Sequence, residues 1–256
     1  MKLYLVGFGP GNFEGMTIKA KKCIENSDII VGYTVYVDLI KQYFPDKVFF
    51  STPMRKETDR VREAVRLAME GNNVSIICSG DSVVYGMAGL AYEILNQYPN
   101  GYDTLKEKGC HTGRVEIEVV PGVTAAVSGS ALLGAVLTND FCVISLSDLI
   151  TPWETIEKRI ECAAMGDFEI AIYNPSSKKR ADYLEKACEI LLKYRDGDCV
   201  CGYAMNIGRE NENWKVTTLV ELKKMELNMF TTVFIGNSQT KNMDGKMVTP
   251  RGYGIT

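Results

Sequence analysis

The chain has 256 residues, of which 46% are hydrophobic and 24% are charged. This length corresponds to one large or two ordinary domains, and the composition excludes a disordered chain, a collagen-like repeat and a small disulfide scaffold. With 29 basic and 32 acidic residues the formal net charge is −3, so no global positive field attracts nucleic acid. The single histidine, His111, excludes a metal site built from several histidines.

Strand-like and helix-like patterns alternate along the first half of the chain. Short apolar runs predict buried strands, and apolar residues that recur every three or four positions predict helices. Gly71 follows the helical pattern at 61–69 and marks its end. The predicted elements are strands at 2–6, 28–31, 74–78 and 115–120, and helices at 17–25, 61–69 and 86–95.

The polar segment 98–114 is predicted to be a connection, and the same alternation resumes after it. Its elements are strands at 141–146, 169–173, 200–204 and 231–235, and helices at 153–164 and 180–194. We therefore predict an α/β chain with mostly parallel or mixed sheets and two domains, residues 1–114 and 115–256. The eight cysteines include no CxxC pair, which favours reduced thiols and a cytoplasmic location.

One stretch is long enough to test as a membrane span. Residues 119–139 carry no charge over 21 positions. The stretch opens with a Pro-Gly turn, however, and is rich in Ser, Thr and Gly. These residues favour a closely packed helix inside a soluble protein, so no membrane partner is predicted.

Three glycine-rich turns follow three of the predicted strands, at residues 7–11, 79–86 and 121–125. In α/β proteins, ligands bind at the carboxyl ends of the strands, so the three turns predict one shared pocket. Asp81 in the second turn could accept hydrogen bonds from a ribose or an amine, and small residues from Thr124 onward leave room for a flat ring. The alternative is that each turn is only a tight connection.

The first turn also resembles a dinucleotide-binding fingerprint, but only in part. Asn12 stands where the third glycine of that motif belongs, and Pro10 occupies its interior. An oxidoreductase that uses a nicotinamide cofactor is therefore a disfavoured alternative, which a response to NAD would test.

Taken together, VGFGPG at 6–11, SGDSVVYG at 79–86 and PGVTA at 121–125 resemble the tetrapyrrole methylases. The resemblance covers nearly the whole chain in the expected order. It implies two α/β domains of the class III S-adenosylmethionine methyltransferase type, with the cofactor in a cleft between them. It also implies a homodimer and a tetrapyrrole substrate.

Other segments resemble one branch of this family. They are GYTVY at 32–36, FCVISLSDLITPW at 141–153, YNPSSKKR at 173–180, NIGRE at 206–210 and TTVFIGNS at 231–238. The branch methylates carbon 17 of precorrin-3B or cobalt-factor III and contracts the ring, in cobalamin biosynthesis. The overall resemblance favours the cobalt-containing substrate. A corrin-ring methyltransferase acting at C11 or C20 and a non-catalytic tetrapyrrole-binding protein stay open as alternatives.

The resemblance also implies which residues contact the cofactor. They are Pro10, Ser79, Gly80, Asp81, Val84, Thr124, Ala125, Tyr173, Asn174 and Gly208. Ser79 departs from the glycine found in many relatives, but it still supplies a backbone N–H. Because a sulfonium methyl group is already activated, alignment of donor and acceptor supplies much of the rate, and no nucleophilic triad is needed.

The substrate and its ring chemistry suggest further residues. A tetrapyrrole carries several carboxylates, which Arg55, Lys56 and Arg60 could bind. Ring contraction benefits from an acid or a base, for which Asp148 is the first candidate, with Ser147 or Tyr33 assisting. The alternative for the three basic residues is a solvated helix start, and the alternative for Asp148 is that the Ser-rich string around it caps the next helix. The cysteines are not predicted to bind a metal.

Overall fold

The computed structural model describes residues 1–97, 115–177 and 180–254. The chain divides into two compact units, Met1–Thr124 and Ala125–Thr256. Each unit has its own five-stranded sheet and its own buried apolar core. The predicted connection at 98–114, with His111, lies outside the described residues.

The first unit is built on a sheet in which every pair of neighbouring strands is parallel. Its strands are β1 (Lys2–Gly7), β2 (Ile29–Tyr33), β3 (Val48–Thr52), β4 (Val74–Cys78) and β5 (Glu116–Val120), in the spatial order β3-β2-β4-β1-β5. The central strand β4 has the sequence VSIIC and is buried at all five positions. Continuous apolar strands of this kind are typical of parallel sheets with helices on both faces.

The helices of this unit cover the two faces of the sheet in pairs. They are α1 (Ile18–Glu25), α2 (Thr34–Ile40), α3 (Glu57–Met69) and α4 (Ala88–Asn96), with a short 3-10 turn at Lys41–Tyr43. Helices α1 and α2 pack in one apolar cluster, and α3 and α4 pack in another. Thr17 caps α1, because its hydroxyl accepts a hydrogen bond from the Ala20 N–H at 3.1 Å.

The predicted domain boundary after residue 114 differs from the observed division after Thr124. The reason is strand pairing: β5 lies beside β1, with Leu3 opposite Ile117 and Leu5 opposite Val119. Alternating apolar and polar residues indicate that a strand is present, but they do not indicate which strand it pairs with. The sequence therefore did not show that β5 pairs with β1, and the predicted boundary placed β5 in the second domain.

The second unit contains a mixed sheet in the order β10-β9-β11-β8-β7 and a small sheet in the order β12-β13-β6. Only β7 and β8 form a parallel pair in the larger sheet. Its helices are α5 (Ala125–Leu133), α6 (Trp153–Met165), α7 (Tyr183–Leu191) and α8 (Leu219–Leu222). Its strands are β6 (Gly134–Ala135), β7 (Phe141–Ser145), β8 (Glu169–Tyr173), β9 (Val200–Met205), β10 (Asn213–Thr218), β11 (Thr231–Ile235), β12 (Lys241–Met243) and β13 (Lys246–Val248).

The uncharged stretch 119–139 is divided among several elements. It contains the end of β5, the nine-residue helix α5 and the two-residue strand β6. Among the residues that the structure describes, no helix combines the length and apolar character needed to cross a bilayer.

A buried carboxyl group lies at the start of β8. Glu169 is fully buried, and neither of its carboxyl oxygens has a partner at hydrogen-bonding geometry. Burial raises the pKa of Glu169, although Thr249, the backbone near Thr138 and Arg195 partly oppose that effect. The folded state therefore holds a proton on this carboxyl more tightly than the unfolded chain does.

This proton linkage gives a pH-dependent prediction for Glu169→Gln. The contribution of a group with a raised folded pKa is complete below its unfolded pKa and is lost as the pH rises through the folded value. Glutamine stays neutral, so the variant should match the wild type at pH 4 and exceed it at pH 8 by about 1–3 kcal/mol in the free energy of unfolding. Denaturant titrations at both pH values measure this. Exposed Glu226→Gln is the control, and equal stabilities of Glu169→Gln and wild type at pH 8 would contradict the prediction.

Candidate active site

The turns after β1 and β4 contact each other directly. The Gly9 N–H donates to the Gly80 carbonyl at 3.0 Å, and the Gly80 N–H donates to the Gly9 carbonyl at 2.7 Å. This reciprocal pair is an isolated antiparallel bridge beyond the ends of two parallel strands. Both glycines have positive φ, 82° and 71°, which a residue with a side chain adopts at a cost.

The turn after β5 joins the same place. A methyl group placed on Gly122 would lie 2.1 Å from the Gly80 carbonyl oxygen and 2.5 Å from the Gly7 carbonyl oxygen. The structure thus brings together the three glycine-rich turns that the sequence predicted to converge. We call the backbone around Gly7, Gly9, Gly80 and Gly122 the glycine platform.

The glycine platform lies at the carboxyl ends of β1 and β4. The connection that follows β1 leads toward one edge of the first sheet, and the connection that follows β4 leads toward the other edge. Strands β1 and β4 are neighbours, yet the helix after β1 packs on one face of the sheet and the helix after β4 packs on the other. In doubly wound sheets, ligands usually bind at the carboxyl ends of neighbouring strands whose following helices lie on opposite faces.

Asp81 organises the glycine platform through its carboxylate. Its Oδ1 accepts hydrogen bonds from the backbone N–H groups of Val83 at 2.7 Å and Val84 at 3.0 Å. Its Oδ2 accepts one from the Gly122 N–H at 2.9 Å, and the residue is 9% exposed. The sequence predicted that this carboxylate would accept from a ribose or an amine. In the structure, it binds three backbone donors and ties the second turn to the third.

The predicted cofactor residues divide between the two units. Pro10, Ser79, Gly80, Asp81, Val84 and Thr124 lie in the first unit, and Ala125, Tyr173, Asn174 and Gly208 lie in the second. The structure therefore groups the first set around the glycine platform. It places the second set at the start of α5 and after β8 and β9.

In the second unit, Tyr173 connects β8 to the helix that begins at Ala125. Its hydroxyl oxygen accepts a hydrogen bond from the Ala126 N–H at 2.6 Å. Asn174, with a φ of 52°, donates from its side-chain amide to the Ser145 hydroxyl at 3.0 Å. Gly208 has a φ of 67°, and its N–H donates to the Glu212 carboxylate at 2.7 Å. These residues hold tight bends at the carboxyl ends of strands.

Asp148 does not cap a helix. The residue preceding α6 is Pro152, and no side chain makes a capping hydrogen bond there. The Asp148 carboxylate instead accepts a hydrogen bond from the Tyr183 hydroxyl at 2.7 Å, and it lies 3.6 Å from a guanidinium nitrogen of Arg180. Ser147 is adjacent in the second unit, whereas Tyr33 lies in the first.

Of the three basic residues predicted to bind substrate, Arg60 is buried. It is 4% exposed, and its guanidinium donates to the Thr52 hydroxyl at 2.8 Å and the Pro53 carbonyl at 3.1 Å. Burial lowers the pKa of this guanidinium. We therefore reassign Arg60 to holding the segment after β3, because its donors are already used within the unit. Arg55 and Lys56 are exposed, and Lys56 forms an ion pair with Asp59 at 2.9 Å.

The sequence did not indicate the roles of Ser82 and Tyr183. Ser82 is fully buried, and its hydroxyl donates to the Val120 carbonyl at 3.1 Å, a second link between the turns after β4 and β5. Tyr183 is 35 positions from Asp148, so no local pattern indicates their contact. Within the described ranges, no three His, Cys, Asp or Glu side chains are grouped closely enough to hold a metal ion.

Comparisons with known proteins agree with this architecture. Residues 2–223 match the family described as Tetrapyrrole (Corrin/Porphyrin) Methylases. The chain is 47% identical over 252 residues to the Cobalt-factor III methyltransferase of Priestia megaterium, which covers 98% of this chain and 45% of that protein. It is 39% identical over 251 residues to the Probable cobalt-factor III C(17)-methyltransferase of Salmonella typhimurium, covering 98% and 99% of the two chains.

Among solved structures, the crystal structure of the methyltransferase CobJ is similar, with a TM-score of 0.84 and 32% sequence identity over 97% of this chain and 98% of that chain. The chain therefore spans about half the length of the Priestia protein and nearly the whole length of the Salmonella protein and of CobJ.

Proposed function

The chain belongs to the tetrapyrrole methylases, and from this membership we propose that it methylates carbon 17 of cobalt-factor III and contracts the ring, in cobalamin biosynthesis. The observation that carries the proposal is the similarity over 98% of the chain to a protein of nearly equal length that is named for this reaction. Precorrin-3B is the related substrate without cobalt. The names of the Priestia and Salmonella relatives favour the cobalt-containing one.

Tetrapyrrole methylases use S-adenosylmethionine. When bound, this cofactor supplies an electrophilic methyl group on a positively charged sulfur. The glycines of the platform let three turns pack against one another, because at Gly7 even a methyl group would lie 2.7 Å from the Gly122 nitrogen. Support for a cofactor here comes from the position of these turns at the carboxyl ends of parallel strands, where ligands of α/β domains bind. We propose that Pro10, Ser79, Gly80 and Thr124 line the cofactor while Asp81 and the Val84 N–H hold the platform.

The predicted contacts from the second unit are part of the same proposal. They are Ala125, Tyr173, Asn174 and Gly208. Their support is the resemblance, together with their position at the ends of strands, where ligands of α/β domains bind.

For the substrate, we propose that Arg55 and Lys56 bind carboxylate groups of the tetrapyrrole. Both side chains are exposed and cationic, as this role requires. Asp148 is proposed to transfer a proton, with Ser147 and Tyr33 in assisting roles. An Asp148→Asn variant keeps the size of the side chain and removes its basic oxygen.

The test is incubation of the purified chain with cobalt-factor III and methyl-labelled S-adenosylmethionine, followed by mass and NMR analysis of the product. One label at carbon 17 is expected. A label at C11 or C20 would identify another branch of the family. Binding of the tetrapyrrole without any transfer of label would identify a non-catalytic binding protein, and both results would contradict the proposal.

The resemblance also supports a homodimer located in the cytoplasm, which we include in the proposal. Light scattering of the purified chain at micromolar concentration should give twice the mass of 28.5 kDa. A monomer at that concentration would contradict the proposed assembly without affecting the proposed reaction.

A further inference from the structure

A cluster of three side chains, Tyr183, Arg180 and Ser177, lies beside Asp148 in the second unit. The Tyr183 hydroxyl donates to Oδ2 of Asp148 at 2.7 Å, and Nη1 of Arg180 lies 3.6 Å from Oδ1. The Arg180 side chain is 15% exposed, its Nε donates to the Ser177 hydroxyl at 3.1 Å, and its Nη1 is buried without a hydrogen bond. Each oxygen of the Asp148 carboxylate therefore faces a different donor.

The Tyr183 ring is fixed independently of this hydrogen bond. It packs against the Trp153 ring with the centroids 4.3 Å apart, and the Lys186 ammonium lies 5.4 Å from its centroid. Lys186 is itself paired with Asp182 at 2.7 Å. Among the described residues, Lys186 and Asp182 act electrostatically on the Tyr183 hydroxyl. Arg180 lies beside Asp148, and Glu157 acts on Lys186. The aromatic contacts hold the hydroxyl in place.

We infer that Tyr183 and Arg180 are positioning residues that hold Asp148 as the proton acceptor of the methyl transfer, an inference that rests on the proposed function. The sequence left open whether Asp148 acts as an acid or as a base. A guanidinium can only donate hydrogen bonds, and the phenol here donates as well, so both neighbours complement the acceptor oxygens of Asp148.

The proposed step balances in atoms and charge. Methylation forms one carbon–carbon bond and breaks one carbon–sulfur bond, and the electron pair of the broken bond stays on sulfur. The macrocycle supplies the electron pair of the new bond and becomes one charge more positive. It returns to its original charge when one of its protons passes to the Asp148 carboxylate, which then releases the proton to solvent. No oxidant or reductant takes part in this step.

The first test does not depend on activity. The hydrogen bond with Asp148, followed by burial, raises the pKa of the Tyr183 hydroxyl. Asp148→Asn should therefore lower the pKa of Tyr183, measured by ultraviolet difference titration of the full chain with Tyr183→Phe as the blank. An unchanged titration would show that the two side chains are not coupled in solution and would overturn the inference.

The second test measures turnover in the labelled-methyl assay. Tyr183→Phe keeps the ring contacts and removes only the hydroxyl, so we expect kcat to fall about 10- to 100-fold while the Kd for S-adenosylhomocysteine stays unchanged. Tyr194→Phe is the matched control, because the Tyr194 hydroxyl makes the same 2.7 Å bond to an exposed carboxylate, that of Glu161. Equal kcat values for the two variants would overturn the inference.

A double variant distinguishes an effect of Tyr183 on kcat that acts through Asp148 from one that is independent of Asp148. If Tyr183 acts through Asp148, Asp148→Asn with Tyr183→Phe should be no slower than Asp148→Asn alone. Losses that multiply would overturn the inference. An inactive wild type that still binds S-adenosylhomocysteine would overturn the proposed function instead, while the titration of Tyr183 would still report on its coupling to Asp148.

Discussion

Gly122→Ala is expected to lower the free energy of unfolding of the first unit by about 3 kcal/mol and to abolish measurable binding of S-adenosylhomocysteine. The added methyl group would meet two backbone carbonyl oxygens, of Gly80 at 2.1 Å and of Gly7 at 2.5 Å. Backbone atoms of three crossing turns cannot move aside as a flexible side chain can. Relief of the clash therefore separates the turns that form the glycine platform.

Gly89→Ala is the matched control for this change. Gly89 lies in α4, and a methyl group there would meet nothing within 4 Å. Alanine is a better helix former than glycine, so this variant should be more stable by about 0.5–1 kcal/mol and should bind normally. Denaturant titration and calorimetry compare the two variants. If Gly122→Ala bound the ligand as Gly89→Ala does, the glycine platform would not be the cofactor site.

Asp81→Ala is expected to cost about 2–4 kcal/mol and to weaken binding of S-adenosylhomocysteine about 100-fold. The substitution removes the acceptor of three backbone N–H groups, those of Val83, Val84 and Gly122. The cost comes from donors left without partners, because the side chain itself has little apolar surface to lose. Binding weakens because the turns after β4 and β5 are no longer tied together.

The variant Asp81→Asn separates the contribution of the hydrogen bonds from Val83 and Val84 from that of the hydrogen bond from Gly122. Its amide oxygen can still accept from Val83 and Val84, but its NH2 group would then face the Gly122 N–H. The loss should be intermediate. Asp28→Ala is the control, since the Asp28 carboxylate accepts from one exposed backbone donor, the Asn73 N–H at 2.8 Å. A loss of affinity in Asp28→Ala equal to that of Asp81→Ala would contradict a specific role for Asp81.

In the two five-stranded sheets the sequence predicted the inner strands and the edge strands β5 and β7, and it missed the edge strands β3 and β10. Strands β4, β8 and β11 have the predicted bounds, because a buried strand leaves a continuous apolar run between polar turns. Strand β3 was missed because only two of its five residues are half-buried and the rest are exposed, which leaves no alternation that differs from a loop. Strand β10 was missed because its first three residues are exposed and its last three are only half-buried, which leaves no alternation of apolar and polar positions.

The sequence predicted which turns form the site, but it did not predict the hydrogen-bond partners of the side chains there. Glycine spacing indicated which turns approach a ligand, because a missing side chain is visible in the sequence itself. The use of Asp81 by backbone donors, and of Arg60 by Thr52, depends on distances that only the folded chain defines. An acid in a glycine-rich turn therefore indicates a site without indicating whether the acid contacts the ligand or the loop.

The pairing of β1 bears on how the protein is made. This first strand lies between β4 and β5, which begin 72 and 114 residues later, at Val74 and Glu116. A ribosome adds about 5–20 residues per second, so β1 waits roughly 4–14 seconds for its first neighbour. During that time it is an apolar segment without a sheet, the kind of sequence that chaperones bind. Gly122 is translated after all of these strands, so the glycine platform, the proposed cofactor site of the first unit, cannot form before the last part of that unit has left the exit tunnel.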